Sequence, residues 1–315
     1  MSMMQAQVQV QTQEALVNWG EFNRQKWKCK VLLKRFQAPN SDAYCDSIFF
    51  LNQQGKIYLP PLNFYHPVEF TPTPTNKNFR IIRQWNDVAD VMLREMIKNG
   101  SDIDFVLPPE ISDIRPWIWA GFQISVQYTY KIKFPYKPEQ LDSLIQRKIN
   151  KANSEGYVVI KTDNFDDVHQ CLKETETRKG FNHQLTIQDM KLAKDLLGEQ
   201  SFRAYVCYSK DGAPVSASII LVLNKKCALG WVLGTKHAYL SHGVTQKLID
   251  FSFRDLSSDG IGGFDFCGAN IPSVSEAKSP WGGELVPYYL VRKQGIKELF
   301  RTGREWINFL KKHGG

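Results

Sequence analysis

The chain lacks the motifs that mark many common catalytic sites. Its 315 residues contain no Gly-x-Ser-x-Gly elbow, no His-Glu-x-x-His pair and no Gly-x-x-x-x-Gly-Lys-Ser/Thr phosphate loop. That argues against the familiar serine hydrolases, zinc peptidases and P-loop nucleotide hydrolases. Histidine is scarce, and His66, His169, His183, His237, His242 and His313 stand at no ligand spacing. The six cysteines, Cys29, Cys45, Cys171, Cys207, Cys227 and Cys267, form no Cys-x-x-Cys pair. Their spacing fits neither a zinc site nor a small disulfide framework. Four of them fall in apolar runs where a small core residue fits, which points to a reducing compartment. Long apolar runs are missing too. The longest, "ASIILVL", falls far below the roughly 18 residues that would suggest a membrane span. The start, "MSMMQAQVQVQTQ", is polar and glutamine-rich, unlike a signal peptide. The glycine-rich "GIGGFDFCG" opens a strand rather than a helix, so it makes a poor dinucleotide fingerprint. The expectation is a soluble cytoplasmic protein.

What is present is a chain 43% apolar with a net charge of +8. It is long enough for two ordinary domains or one large one, and its charge favours an anionic partner. "DSIFFLNQQGKIYL" predicts a hairpin around Gln54-Gly55, "FRIIRQW" a strand, "DVADVMLREMIKNG" a helix and "IDFVL" a strand. The same order returns later. "FRAYVCYSKDGAPVSASIILVL" predicts a hairpin turning at Asp211-Gly212, "CALGWVL" a strand, "VTQKLIDFSFRDLSSDG" a helix and "GFDFCG" a strand. This weak repeat, one of order rather than identity, suggests a duplicated α/β domain. Between the halves, Ile124, Val126, Tyr128, Tyr130 and Ile132 alternate along one long predicted strand. Helices over "PEQLDSLIQRKINKANSEG", "DDVHQCLKETETRKGF" and "TIQDMKLAKDLLG" follow, with the strand "YVVIKT" after the first. The stretch from Arg292 to Lys312 predicts a basic helix with Ile296, Leu299, Phe300, Ile307 and Leu310 facing inward.

An ordered set of segments resembles a known family: "YTYKIKF", "LIQRKINKANSEGY", "TETRKGF", "YSKDGAPVSASIIL", "FDFCGAN" and "AKSPWGGELVPYY". Together they are similar to the Fem-type aminoacyltransferases and to the wider acyltransferase group sharing their acetyltransferase-like (GNAT) fold. The likeness covers residues 125–290 in order, and the first half more loosely through "YLPPLNFY". It implies an α/β chain of two tandem GNAT-like domains with mixed, mostly antiparallel sheets. The expected division is 1–125, then 126–290, with 291–315 a basic helix returning to the first domain. It also implies a cytoplasmic enzyme that takes an amino acid from aminoacyl-tRNA, as co-substrate, and forms an amide on an amine acceptor. The acceptor is a peptidoglycan precursor in the typical case, hence peptidic or phosphorylated, and no metal or other cofactor is implied.

The resemblance also assigns residues. Lys278 matches a lysine held to stabilise the transition state, and Trp281-Gly282-Gly283 the turn after it, although Ala277 replaces the usual Phe. A fixed ammonium suits an oxyanion that develops as an amine attacks an ester; the plain alternative is a solvated loop lysine. Arg178 matches an arginine that holds the acceptor's phosphates, and it would equally complement a helix C-terminus. Asn182 and His183 stand where peptidoglycan members tend to carry tyrosine, which weakens a nucleotide-sugar acceptor. Asp265 has two readings, a group orienting the lysine or the amine, and a turn cap. Trp281 and Tyr288 are candidates to line an acyl pocket, or ordinary core aromatics. Arg147, Lys148, Lys151, Arg301 and Arg304 are candidate contacts to tRNA phosphates, or solvated helix faces. Two rival functions stand beside this one. The first is an acyl-CoA-dependent N-acyltransferase, weakened because Leu240 replaces the usual polar residue three positions before Gly243. The second is an inactive nucleic-acid-binding module.

Overall fold

A computed structural model describes residues 3–99 and 102–293. In chain order the elements are α1 (Met3–Trp27), β1 (Lys30–Gln37), β2 (Tyr44–Leu51), β3 (Val68–Thr71), α2 (Asn78–Asn99), β4 (Ile103–Leu107), α3 (Arg115–Trp119) and β5 (Gln123–Lys133). There follow α4 (Ser143–Ser154), β6 (Val158–Lys161), α5 (Phe165–Lys179), α6 (Ile187–Ser201), β7 (Phe202–Tyr208), β8 (Pro214–Leu221) and β9 (Ala228–Thr235). The last are α7 (Val244–Ser258), β10 (Gly263–Asp265), α8 (Pro272–Lys278) and β11 (Glu284–Lys293). The chain divides into two compact units, and the division falls inside β5 and inside β11. The larger unit comprises α1 up to Lys26 and Gln127–Pro287; the smaller comprises Trp27–Val126 and the described residues from Tyr288.

In the larger unit the strands lie in the order β5-β10-β9-β8-β7-β6. The pairs β6–β7, β7–β8, β8–β9 and β10–β5 are antiparallel, while β9 and β10 run parallel with α7 as the crossover between them. Local signals set the helices. Asn164 caps α5 by accepting from the Asp167 N–H, with Asp166 and Asp167 in the first turn and Arg178 and Lys179 in the last. That arrangement satisfies orphan amides and complements the helix dipole. Thr186 and Asp189 form a capping box for α6. Ile145, Ile149, Val215, Leu248, Phe253 and Phe264 join the core of this unit. The glutamine-rich N-terminus gave no helical signal, yet α1 forms. Trp19 and Phe22 stack at 5.1 Å and both meet Trp231 edge-on at 5.7 Å. Lys26 pairs with Asp189 at 2.6 Å. Those contacts place α1 with the larger unit although it begins the chain.

In the smaller unit β1, β2 and β3 form an antiparallel sheet in that order, and β4 pairs antiparallel with the end of β11. The expected strand "FRIIRQW" is instead the first two turns of α2. Trp85, Val88, Ala89, Met92 and Met96 are buried, a helical period that carries the β-branched isoleucines with it, and Ile82 stays exposed. The hairpin expected around Gln54-Gly55 is corrected as well: β2 ends at Leu51, only the isolated Leu51↔Ile57 bridge joins it to the chain beyond that turn, and its hairpin partner is β1. A repeat of element order remains. β1-β2-β3, α2, β4 matches β7-β8-β9, α7, β10 in order, with β3 taking the place of the misread strand. The mixed α/β architecture with mostly antiparallel strand pairing is the one expected. β1 and β11 went unread in the sequence. Arg292 and Lys293, read as the start of a tail helix, end β11, and the rest of that stretch lies outside the described residues.

Candidate active site

Where β9 and β10 part, the larger unit collects its chemistry. The parallel ladder consists of Phe264↔Ala228 and Asp265↔Leu229 and goes no further. Trp231 is the extra residue of a bulge in β9, because Ile219 pairs with Val232 and Ile220 with Gly230. Beyond Asp265 the chain turns along β5. Phe266 N–H donates to the Tyr130 carbonyl at 3.0 Å and Ala269 N–H to the Tyr128 carbonyl at 2.6 Å. The Asn270 side chain accepts the Tyr128 N–H at 2.8 Å.

Asp265 organises this turn. Its Oδ1 accepts the Thr129 hydroxyl at 2.6 Å and the Cys267 N–H at 2.7 Å. Thr129 Oγ1 in turn accepts the Gly268 N–H at 3.0 Å. Cys267, at φ +57°, occupies left-handed backbone, a conformation that costs a non-glycine residue about 1–3 kcal/mol and persists where neighbours enforce it. The Asp265 carboxylate is 1% exposed. It is therefore a turn cap that positions backbone, the second of its two readings, and it presents no free face to a substrate. Burial pushes the Cys267 thiol well up, with the Asp265 charge adding to the effect, which disfavours the thiolate.

That turn holds Lys278. From the last turn of α8 its Nζ donates to the Phe266 carbonyl at 2.7 Å and the Gly268 carbonyl at 2.5 Å. The Phe266 ring lies 5.9 Å below it. An ammonium carries three donors, so after two carbonyls one remains. Burial lowers the lysine's pKa, while Cys267 and Asp265 pull the other way. The structure thus joins Lys278 and Asp265 in one network and replaces the solvated-lysine alternative with a half-buried, directed amine.

The Trp-Gly-Gly turn supports this arrangement from below. Trp281 is buried against Phe253 at 5.4 Å and Phe266 at 6.2 Å, which makes it core rather than the lining of an acyl pocket. A Cβ on Gly283 would sit 2.9 Å from Ile132 Cδ1 and 3.0 Å from the Lys131 carbonyl, so the second glycine lets the turn lie directly on β5. Gly282 closes the preceding 3-10 turn in left-handed backbone at φ +71°. Both glycines have packing reasons. Tyr288 belongs to the smaller unit, where its ring meets Tyr65 edge-on at 4.9 Å.

A second group stands at the end of β9. Thr175 of α5 donates its hydroxyl to the Thr235 carbonyl at 3.1 Å and accepts the Thr235 N–H at 2.9 Å. This pins the end of α5, and with it the α5–α6 loop, to β9. Arg178 is exposed there and makes no ion pair among the described residues. Glu176 accepts the His183 N–H and its ring Nδ1, both at 3.0 Å, and pairs with Lys173 at 2.7 Å. Burial raises the Glu176 pKa, but the hydrogen bonds from Lys173 and His183 win, and the net shift is downward. Burial holds His183 below the usual histidine range despite that carboxylate.

The basic edge of α4 is partly engaged. Lys151 Nζ donates to the Ser241 carbonyl at 3.0 Å, and Arg147 Nε to the Ser143 carbonyl at 3.3 Å. Lys148 is half-buried, and its carbonyl faces Gly243 at the start of α7. Arg301 and Arg304 lie outside the described residues. Sequence reasoning missed Thr129 because it falls out of phase with the alternating apolar set of β5. It also missed the Glu176–His183 pair, whose partners look like ordinary helix and loop residues until the helix ends.

The fold defines a class, the mixed α/β architecture of the GNAT type. FemX superposes with a TM-score of 0.67 at 11% identity, over 93% of this chain and 97% of that one. The C-terminal domain of a protein named as a lysylphosphatidylglycerol synthetase from Agrobacterium fabrum gives 0.57 at 12% identity, over 91% and 93%. L-PGS from Bacillus licheniformis gives 0.53 at 12% identity, over 87% and 90%. This chain therefore shares the fold of the Fem and lysylphosphatidylglycerol synthetase structures. No family model and no curated protein sequence matches it.

Proposed function

We propose that the chain is an acyltransferase that moves an aminoacyl group from aminoacyl-tRNA to an amine, forming an amide. The observation that carries this reading is Lys278, an amine held by two carbonyls with one donor left, on the turn where β9 and β10 part. The fold shared with FemX and L-PGS supports it, as does the ordered resemblance along the sequence. The acceptor nitrogen attacks the ester carbonyl, the C–N bond forms, and the C–O bond to the tRNA ribose breaks. The proton lost by the amine ends on the leaving hydroxyl. Lys278 donates its remaining N–H to the oxyanion in between, where a fixed charge is worth more than in the ground state. Holding ester and amine together supplies much of the rest. Asp265 and Thr129 act through the turn as positioning residues. In this reading Arg178, exposed at the end of α5, meets an anionic group on the acceptor. The reading calls for no metal or organic cofactor and for a compartment that contains tRNA, the cytoplasm. Among the described residues no helix is long and apolar enough to cross a membrane.

The test is a donor comparison with the purified full chain, using total charged tRNA and, separately, acetyl-CoA. Binding to charged tRNA that weakens with salt, with ester loss that requires an amine acceptor, supports the reading. Lys278→Met should lower turnover by about 10²–10³-fold. Because burial lowers the Lys278 pKa, the alkaline fall in rate should begin below the ordinary lysine range. Saturable acetyl-CoA binding without any tRNA complex would overturn the tRNA donor. Undiminished turnover in the Met variant would remove the role given to Lys278.

A further inference from the structure

The smaller unit carries an apolar and cationic surface that nothing above uses. Trp85 of α2 stacks on Trp117 of α3 at 5.8 Å, and its indole N–H donates to the Asp113 carbonyl at 2.7 Å. The two helices that meet at this stack expose large apolar side chains. On α2, Phe79 is 64% exposed and Ile82 43%; on α3, Ile118 is 50% exposed and Trp119 67%. Cations accompany them. Lys77, Arg80 and Arg83 are exposed and take part in no ion pair among the described residues; of the nearby acids, Asp90 and Asp113 pair with Arg94 and Arg115, and half-buried Asp87 is also without an ion pair, which leaves a net positive excess. Arg115 lies 5.5 Å from the Trp119 ring centre and Arg80 6.0 Å from that of Phe79. Exposed apolar groups rimmed by charge that is predominantly of one sign mark an interaction surface.

We infer that this surface docks the protein on a bilayer containing anionic lipid. The rings of Phe79 and Trp119 and the branched chain of Ile82 enter the headgroup boundary, while Lys77, Arg80 and Arg83 meet lipid phosphates. A second copy is a poor occupant, because a two-fold contact through the same patch would set cations against cations. Residues 294–315 carry Lys297, Arg301, Arg304, Lys311 and Lys312 against Glu298 and Glu305, a net charge of the same sign as the patch, so charge complementarity does not favour them as its occupant. RNA would use the arginines and could stack on the rings, but it gains little from an exposed isoleucine.

The experiment is co-sedimentation of the full chain with phosphatidylcholine vesicles, with and without phosphatidylglycerol. Binding should require the anionic lipid and weaken with salt. Arg80→Glu/Arg83→Glu should reduce partitioning by about thirtyfold or more, at about fivefold per cation lost. Phe79→Ser/Trp119→Ser should reduce it by about tenfold or more with all charges kept. Lys225→Glu/Lys226→Glu removes equal charge from an exposed loop of the larger unit and should change it little. An equal loss in that control would assign binding to net charge and overturn the inference. So would absence of vesicle binding, loss of an RNA complex alone in the arginine variant, or a dimer that the serine variant abolishes. The outcome is independent of which acyl donor the enzyme uses.

Discussion

Replacing Thr129 by valine isolates the network that holds Lys278. Thr129 is fully buried, its hydroxyl donates to Asp265 at 2.6 Å, and it accepts the Gly268 N–H at 3.0 Å. Valine keeps the shape and removes both bonds. A hydrogen bond to a charged carboxylate contributes about 1.5–3 kcal/mol, and a buried N–H left without a partner costs about 1–3 kcal/mol. Asp265 keeps the Cys267 N–H, so the loss is partial, and a total near 3 kcal/mol is expected. Thr129→Ser keeps the hydroxyl and removes one methyl group, at about 1 kcal/mol. At about 2–4 °C per kcal/mol, valine should melt roughly 6–12 °C below the parent chain and serine roughly 2–4 °C below. Thermal unfolding of the full chain followed by circular dichroism measures this. A second readout separates the turn from general stability. Acetylation of Lys278 by acetic anhydride, which forms the amide and releases acetate, followed by peptide mass, should speed up in the valine variant because the carbonyls that hold the ammonium are released. A valine variant that melts with or above the serine variant would refute the reasoning.

Two further outcomes follow from the same packing. His66 is buried with its ring 3.9 Å from Phe105; Nδ1 accepts the Val106 N–H at 3.0 Å and Nε2 donates to the Tyr58 carbonyl at 3.2 Å. Burial pushes its pKa from 6.5 down to about 3. The folded value is depressed, so this contribution is complete above pH 6.5 and is lost as the pH falls toward 3, at about 1.4 kcal/mol per unit. Urea unfolding between pH 7 and 4 should show that slope, shallower by this amount in His66→Gln; an unchanged slope would assign it elsewhere. Gly283→Ala sets a methyl against Ile132 Cδ1 and the Lys131 carbonyl, an overpacking that costs about 1–3 kcal/mol. Adding Ile132→Val removes the nearer atom and should recover part of the lost melting temperature; no recovery would show that the carbonyl contact dominates.

The sequence made the larger unit the more legible half. From β6 to α7, periodicity and turn residues such as Asp211-Gly212 name each element, because each signal acts within one turn or one hairpin. The reading failed where local preference and packing disagree. "FRIIRQW" has the isoleucines of a strand, but the helical spacing of Trp85, Val88 and Met92 against the smaller unit's core decides it. The N-terminal helix carries no local signal, and Trp19 and Phe22 reveal it only once Trp231 is there to meet them.

The site divides in the same way. Lys278 was visible from its motif, and so was Asp265, although its role was not. A carboxylate reads alike whether it faces a substrate or an amide two residues on, and the bonds to Cys267 and Thr129 decide which. Trp281 and the two glycines look like a binding turn in one dimension and prove to be what seats the turn on the core. By itself the sequence determined the order of elements from β6 to β10, the doubled α/β plan and the lysine, because these rest on spacing along the chain. Only the tertiary structure decided that Thr129, 136 positions from Asp265, donates its hydroxyl to that carboxylate and accepts the Gly268 N–H of the turn that aims Lys278, since those contacts exist only when β5 and β10 pair.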